Sequence, residues 1–321
     1  MNPYSVALTP CKTYDLDAVE QAILRQVNLL GGFEHFVKPG DRVLVKPNFI
    51  APRPADKAVQ THRSVILSVC KLLKDFGGHP FVGDSPAWGT AQACAQAQGL
   101  DAGLKHLGVK LVQLDTPRPI PVGPNQVRVG LSVHALEADA IFNLPKLKAH
   151  QQMMGTFAIK NMFGCVSGKK KPYWHFAKGK SAKRFGKFLI QIYDAIGPML
   201  TLVDGIMAMD QEGPINGRPR ELNWLIAGQD PIAVERTCAK LIGLPSENLP
   251  IVQAAQEMGY GCPEDDELHL VDAQWADIRC LTDFEIPTLA PVRFSLGRVL
   301  KSVAKGRLVA IKTRLTCNRA S

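Results

Sequence analysis

Residues 146–175 hold the densest set of side chains that can do chemistry. Lys160 stands there in an apolar stretch between two glycines, where burial would lower the pKa of its amine. A neutral lysine acts as a nucleophile or base and a charged lysine binds anions, and both roles stay open. The alternative is structural, with Lys160 extending its ammonium group from a helix into solvent. His150 precedes Lys160 by ten residues and can carry a proton, so we predict Lys160 and His150 as catalytic residues.

Polar residues also follow the ends of the predicted strands. In doubly wound sheets, ligands bind beyond the carboxyl ends of the strands, because loops and helix N-termini meet there. Five strand ends carry polar residues beside proline or glycine: Lys46-Pro-Asn48, Gly83-Asp-Ser85-Pro, the run from Asn143 to His150, Asp204-Gly with Asp210 and Glu212, and Gly228-Gln-Asp230-Pro. Such dipeptides also mark ordinary turns, and Asp230 is better explained as a helix cap. The residues predicted to bind an anion or cofactor are Lys46, Asn48, Ser85, Asn143, Lys146, Lys148 and Asn161.

A metal site is the second chemistry that these residues allow. Aspartate oxygens suit a hard cation such as Mg²⁺, and histidine nitrogens bind several divalent metals. The candidate ligands are His150, His175, Asp84 and Asp204. The alternative is that the histidines are structural and that the aspartates balance the charge of nearby lysines. Beyond a divalent metal, the residues do not define a cofactor.

The eight cysteines are too widely spaced to form a CxxC unit. An intrinsic iron–sulfur cluster or a zinc ribbon is therefore not expected. The sequence also contains no GxGxxG, GxxxxGK(S/T), GxSxG or HExxH motif, which argues against the common nucleotide-binding, hydrolase and zinc-protease classes.

Basic residues are concentrated in two stretches of the chain. The net charge is +9, but residues 140–193 hold eleven Lys/Arg and residues 288–321 hold eight, with no Asp or Glu in either. The remainder carries 19 basic and 29 acidic residues and would repel a polyanion, so nucleic acid is not an expected partner. A small anionic ligand fits a local basic patch better. Residues 169–187 could instead dock on an acidic protein or redox partner, and the tail from Arg293 could form a basic helix on an anionic membrane surface.

Short apolar runs alternate with amphipathic helical patterns, which is typical of an α/β fold. We predict a largely parallel, Rossmann-like layered sheet with helices on both faces. The predicted strands are 42–46, 80–83, 109–114, 138–143, 199–204 and 224–228, and helices are predicted to begin at Asp15 or Asp17, near Ser64, near Thr90 and at Pro231. Residues 1–287 are expected to form a single elaborated domain, and residues 288–321 a basic C-terminal appendage. A cytoplasmic location is expected, because no apolar stretch reaches about eighteen residues and the N-terminus has no signal pattern.

Five motifs follow one another along the chain: Lys46-Pro-Asn48, Gly83-Asp-Ser-Pro86, Asn143-Leu-Pro-Lys146-Leu-Lys148-Ala-His150, the stretch from Gly155 to Gly164, and Asp204-Gly-Ile with Gly213-Pro214. In this order they resemble the bacterial and archaeal family called domain of unknown function 362. The resemblance covers about residues 5–260 and implies an α/β fold. Many members carry a ferredoxin-like segment with CxxCxxC runs, which this sequence lacks.

The spacing of His150, Lys160 and His175 is also similar to that of the nickel-pincer lactate racemases. In those enzymes a histidine and a lysine ten residues later hold the metal and a covalent pyridinium cofactor, with another histidine further on. The flanking sequences differ. The resemblance implies a metal and an organic cofactor at these three residues.

The sequence therefore favours an enzyme or enzyme-like protein that binds a small anionic ligand, or a metal or organic cofactor, at the carboxyl ends of a parallel sheet. Redox chemistry is one option for it. The first alternative is a non-catalytic protein that delivers a cofactor or metal to a partner through its basic loop. The second is a protein whose basic tail binds a membrane surface or nucleic acid.

Overall fold

Strands are interspersed with helices along the chain, which agrees with the predicted α/β fold. The structure is a computed structural model that describes residues 2–167 and 171–292. In these ranges the strands are β1 (Ser5–Pro10), β2 (Arg42–Pro47), β3 (His79–Asp84), β4 (Lys110–Gln113), β5 (Pro117–Val122), β6 (Val127–Ser132), β7 (Ala140–Leu144), β8 (Lys146–His150), β9 (Met154–Thr156), β10 (Leu200–Asp210), β11 (Arg218–Gly228) and β12 (His269–Leu270). The helices are α1 (Leu16–Leu29), α2 (Arg63–Asp75), α3 (Ala91–Gln98), α4 (Asp101–Leu107), α5 (Val133–Leu136), α6 (Lys171–Lys178), α7 (Ala182–Ile196), α8 (Pro231–Leu241) and α9 (Pro250–Met258).

One large sheet holds ten of these strands. Eight of them follow the order β12-β1-β11-β10-β7-β2-β3-β4, while β8 pairs with β10 and β9 pairs with β8. From β10 to β4 every neighbouring pair is parallel, with Lys46 opposite Asn143 in the middle of this half. The strand β11 is antiparallel to both of its neighbours, and β5 and β6 form a separate antiparallel ribbon. The prediction of a largely parallel α/β sheet is confirmed.

Side chains that alternate along each strand form two apolar cores, one on each face of the sheet. On β2, Val43 and Val45 pack in the core that includes residues of α1 to α4, while Leu44 packs with residues of α7 to α9. Removing these side chains from water is the main stabilising contribution to the fold. Helices lie on both faces, as predicted.

Capping side chains fix where two of the predicted helices begin. Asp15 Oδ1 accepts a hydrogen bond from the Ala18 N–H at the start of α1, and Asp230 Oδ1 accepts one from the Ala233 N–H at the start of α8. A cap of this kind stabilises a helix by about 1 kcal/mol. Both helix starts agree with the prediction from the sequence, and so does the role of Asp230 as a cap.

The direction of β11 differs from the expectation. This strand runs antiparallel to β10, so that Gly228 lies opposite Thr201 near the start of β10. Residues after β11 therefore lie at the opposite edge of the sheet from the other four strand ends. The grouping of this strand end with the other four was wrong, because alternating apolar residues show that a strand is buried but not which way it runs.

The structure describes part of each of the two basic stretches. Residues 171–187 form α6, a short connection and the start of α7, and docking through this stretch stays a prediction. Beyond residue 287, the Ala290 N–H donates to the Gln151 carbonyl at 2.7 Å, and Gln152 Nε2 donates to the Pro291 carbonyl at 3.3 Å. Residues 168–170 and the predicted basic helix from Arg293 lie outside the described residues. Within the part that the structure describes, no helix has the length and apolar character needed to span a membrane.

Candidate functional site

The carboxyl ends of β2, β3, β7, β8 and β10 lie at one edge of the sheet, because these strands run parallel to one another. Nine predicted residues at this edge are each at most 8% exposed: Lys46, Asn48, Asp84, Ser85, Asn143, Lys146, Lys148, His150 and Asp204. Lys160, Asn161 and His175 reach them from the segment between β9 and α7. We call these twelve residues the edge cluster. The structure thus brings all the predicted site residues together, while their functions stay predictions.

Lys46 and Asp84 form a buried ion pair within the edge cluster, with 2.9 Å between Nζ and Oδ1. Lys46 also donates to the carbonyl of the next residue at 2.6 Å and to Asn161 Oδ1 at 3.3 Å. Asp84 accepts two backbone N–H hydrogen bonds, each of 2.7 Å. A Cβ atom added at Gly164 would lie 2.3 Å from Asp84 Oδ1, so only glycine lets the backbone pass this close to the pair.

Three asparagines join the strand ends to the segment Ile159–Cys165, which has 3-10 geometry. Asn161 Nδ2 donates to Asn143 Oδ1 at 2.8 Å, and Asn48 Nδ2 donates to Asn161 Oδ1 at 2.8 Å. Asn143 Nδ2 in turn donates to the Ala158 carbonyl at 3.0 Å. Because each amide both donates and accepts, the three side chains fix the segment against β2 and β7.

A second buried ion pair joins Lys146 Nζ to Asp204 Oδ2 at 2.9 Å. Tyr14 Oη donates to Asp204 Oδ1 at 2.8 Å and accepts from Lys146 Nζ at 2.7 Å. The ring of His62 stacks on that of Tyr14, with 3.6 Å between centroids. Burial raises the pKa of Tyr14 well above its usual range and lowers that of His62 to about 4. The sequence prediction missed Tyr14 and His62, which lie in loops after β1 and β2 with no motif around them.

Lys148 is fully buried and has no carboxylate ion-pair partner among the described residues. Its Nζ donates to Asn48 Oδ1 at 2.6 Å and to the Val59 carbonyl at 2.5 Å. Burial holds the pKa of Lys148 well below its usual range, and the charges of Lys146 and Lys160 lower it further. A negative charge brought near Lys148 would reverse this effect.

Lys160 is half-buried at the second position of the 3-10 segment, rather than on an α-helix. Burial, together with the charge of Lys171, lowers the pKa of Lys160 to about 8. Burial likewise lowers the pKa of Lys171 to about 8, and its Nζ donates to the Ser85 carbonyl. Lys171 was not among the predicted site residues, although the basic run 169–171 was a signal for it. Both amines change charge close to neutral pH.

His150 and His175 are buried beside Lys160. Burial and the charge of Lys160 hold the pKa of His150 well below its usual range and lower that of His175 to about 3. His150 Nδ1 accepts a hydrogen bond from the Gln152 N–H at 3.1 Å, and the ring of His175 lies 4.6 Å from that of Phe185. Both imidazoles are therefore neutral at physiological pH.

Glu235 holds the backbone just before Lys160, and the sequence prediction missed it. This α8 residue is 1% exposed, and its Oε1 accepts from the N–H groups of Ala158 and Ile159 at 3.1 and 3.0 Å. Burial raises its pKa to about 7, against the effect of the two hydrogen bonds. A carboxylate directly after the apolar run 231–234 was the signal that could have found it.

The four predicted metal ligands belong to the edge cluster, but they do not form one metal-binding group. Asp84 and Asp204 are each bound to a lysine, and the two histidines lie beside Lys160. In the described ranges, no group of three or more His, Cys, Asp or Glu side chains is placed to hold a metal ion. A divalent metal and an organic cofactor at His150, Lys160 and His175 stay predictions.

Residues 43–240 match the family described as Domain of unknown function (DUF362). A thylakoid-associated protein of Synechocystis sp. is 36% identical over 302 residues, which cover 94% of each chain. Among solved structures, the lactate racemase apoprotein from Thermoanaerobacterium thermosaccharolyticum has a TM-score of 0.46 at 14% identity, covering 73% of this chain and 56% of that one. A protein from Thermotoga maritima has a TM-score of 0.44 at 14% identity, with 70% of this chain and 58% of that chain covered. The chain therefore spans little more than half the length of these two solved chains.

Proposed function

Since this chain belongs to the DUF362 family, we propose that it binds a small anionic ligand, such as a carboxylate or a phosphate-like oxyanion, at the edge cluster. Lys160 and Lys171 are the half-buried amines that would contact the anion. The fully buried Lys148 would attract the anion through its charge. The neutral His150 would donate or accept a proton at one of its ring nitrogens.

The unbalanced positive charge of the site carries this proposal. Five lysines act on one another here, namely Lys46, Lys146, Lys148, Lys160 and Lys171. Among the residues that the structure describes, only Asp84 and Asp204 oppose them in ion pairs, and each already binds one lysine. Burying ammonium groups without counter-charges costs free energy, and a bound anion would offset part of that cost.

The lowered pKa values define what these lysines could do chemically. An amine with a pKa of about 8 is partly neutral near that pH, so Lys160 could act as a nucleophile or a base toward a bound carbonyl or acidic C–H group. In its charged form the same amine would bind the anion. An enzyme is thus compatible with the site, and so is a protein that binds a cofactor in order to deliver it.

Calorimetric titration with sulfate and malonate tests the binding proposal. Sulfate keeps its charge between pH 7 and pH 9.5, so any change in affinity over that range reports on the protein. Because Lys160 and Lys171 lose their protons through about pH 8, we expect sulfate to bind at least about tenfold more tightly at pH 7 than at pH 9.5.

Two variants separate the site from general surface charge. Lys160→Gln removes one amine of the edge cluster, and Lys105→Gln removes an exposed lysine of α4. We expect anion affinity to fall about tenfold or more in the first variant and to stay unchanged in the second. Equal affinities in both variants, or affinity that does not depend on pH, would contradict the proposal.

We also propose that the chain associates with an anionic membrane surface. The related protein of Synechocystis sp. is described as thylakoid-associated, and this observation favours the second candidate function. Residues 293–321 carry eight Lys/Arg and no acidic residue, a composition that attracts anionic lipids. The cytoplasmic location expected from the sequence remains a proposal, and attachment to the surface of a membrane is compatible with it.

Co-sedimentation with vesicles tests membrane association. The full chain is compared with a chain ending at Val292, which keeps every described contact of residues 290–292. We expect the full chain to sediment with vesicles that contain anionic lipid at low salt, and to be released at high salt. The proposal fails if the shortened chain sediments equally, or if neutral vesicles bind as well.

A further inference from the structure

The solvent-facing side of α6, α7 and the connection between them is basic. No acidic residue occurs between Lys171 and Tyr193. The two helices lie side by side, since Lys178 Nζ of α6 is 5.7 Å from the centroid of the Phe188 ring in α7. We call this surface the α6–α7 face. Its members, none of which is fully buried, are Tyr173, Lys178, Lys180, Lys183, Arg184 and Lys187.

The charge of the α6–α7 face is balanced only in small part. Lys183 and Lys187 share one carboxylate, that of Glu257, and Lys187 Nζ lies 2.7 Å from its Oε2. Lys180 and Arg184 are exposed, and neither forms an ion pair with a carboxylate that the structure describes. Five positive charges against one negative charge leave a net charge of +4. Such a surface attracts polyanions.

Tyr173 adds an apolar ring to this charge. The residue is 56% exposed, and its ring centroid lies 5.1 Å from that of the buried Trp174. A tyrosine has an apolar ring and a polar hydroxyl, so it favours the boundary between water and lipid tails. Lysines around an exposed aromatic ring are typical of a surface that lies on anionic lipid.

The end of the described chain brings the basic tail to the same part of the molecule. Val292 is buried, and its carbonyl interacts with the ring of His175 in α6. Residue 293, where the basic tail begins, therefore directly follows a residue that contacts α6. Attachment of the tail to a membrane would keep the α6–α7 face within reach of the lipid.

We propose that the α6–α7 face lies on an anionic lipid surface, with its basic residues at the phosphate groups and Tyr173 at the boundary of the lipid tails. The inference rests on the membrane association proposed above, and it assigns part of the contact to the folded chain. An acidic protein is the other partner that the charge allows. Centres of protein interfaces are poor in lysine and more apolar, whereas this face has four lysines and one exposed ring, so lipid fits it better.

Co-sedimentation of the chain ending at Val292 tests the inference, because this shortened chain lacks the basic tail. The vesicles hold equal amounts of phosphatidylcholine and phosphatidylglycerol, at low salt. We expect the shortened chain to bind them, though more weakly than the full chain. Replacing two cations by Lys180→Gln and Arg184→Gln together should weaken its binding about tenfold or more. Tyr173→Ala should weaken it about threefold, because the ring that leaves water is lost.

The matched control is Lys105→Gln with Lys110→Gln, which removes two exposed lysines of α4 and β4 and lowers the net charge by the same amount. We expect the control to bind within about twofold of the shortened chain. Melting temperatures show whether each variant is folded, and Tyr173→Ala decides if the double variant on the face is not.

Three results would overturn the inference. The shortened chain does not bind anionic vesicles, or the double variant on the face binds as the control does, or Tyr173→Ala binds as the shortened chain does. In each case an acidic protein would be the better partner for the face, while the proposed role of the tail would stand. If the full chain itself does not bind anionic vesicles, the membrane association fails and this inference fails with it.

Discussion

At the scale of single residues, Glu235 links the folding of the chain to pH. Its pKa is raised from 4.5 to about 7 because it is buried. Between these two values the folded chain keeps a proton that the unfolded chain releases. The free energy of unfolding therefore falls as pH rises from about 4.5 to 7, and changes little from this cause above that range.

Glu235→Gln should remove this dependence while keeping an oxygen that accepts from the Ala158 and Ile159 N–H groups. As pH rises from 5 to 8, we expect the free energy of unfolding of the variant to increase by about 2–3 kcal/mol relative to that of the wild-type chain. Urea unfolding at several pH values measures it, with the exposed Glu247→Gln as the control. Parallel pH profiles for the wild-type chain and Glu235→Gln would rule out this role.

The residues that could be predicted from the sequence share one property. Lys46, Lys146 and Asp204 interrupt apolar strands, where a charged residue must find a partner, and the structure pairs each of them. Tyr14 and His62 could not be found in this way, because a loop sequence carries no periodic pattern. Their positions depend on contacts with strands that are distant along the chain.

At the scale of elements, the 3-10 segment Ile159–Cys165 sits directly on the Lys46–Asp84 pair. Gly164 is the point of closest approach, since an added Cβ would lie 2.7 Å from Lys46 Nζ and 2.3 Å from Asp84 Oδ1. Gly164→Ala must push the segment or the pair aside. We expect a loss of about 1–3 kcal/mol in the free energy of unfolding.

The matched control for this change is Gly130→Ala, whose added Cβ would meet only Pro117 Cβ, at 3.0 Å. Chemical denaturation of both variants gives the comparison. Sulfate titration should show weaker binding by Gly164→Ala, because Lys160 lies on the displaced segment. Equal stability of the two variants would show that the segment moves without cost.

The positions of the strands could be predicted from the sequence, but their directions could not. The apolar runs gave correct positions for β2, β3 and β7, and these strands proved parallel. The same kind of run at 224–228 gave a strand that proved antiparallel. A strand repeats its side-chain pattern every two residues in either direction, so only its neighbours in the sheet decide which way it runs.

At the scale of the whole molecule, the described C-terminal residues contact the loop after β8. Ala290, Pro291 and Val292 form hydrogen bonds with Gln151 and Gln152. A chain ending at residue 287 loses these bonds, whereas one ending at 292 keeps them. Hydrogen exchange should show faster exchange of the Gln152 N–H, which bonds to His150, in the shorter chain alone. Equal exchange in the two chains would place the end of the domain at residue 287, as the sequence suggests.

The burial of the lysines also sets their reactivity towards electrophiles. Lys160 and Lys171 combine a pKa of about 8 with side chains that are only half-buried, so near that pH a large share of each is the free amine. Lys148 is fully enclosed, and a reagent cannot reach it. A brief pulse of an acylating reagent at pH 8 should therefore label Lys160 and Lys171 first and spare Lys148, as peptide mass spectrometry would show. A bound oxyanion would protect the first two, so the labelling pattern would mark where the ligand sits.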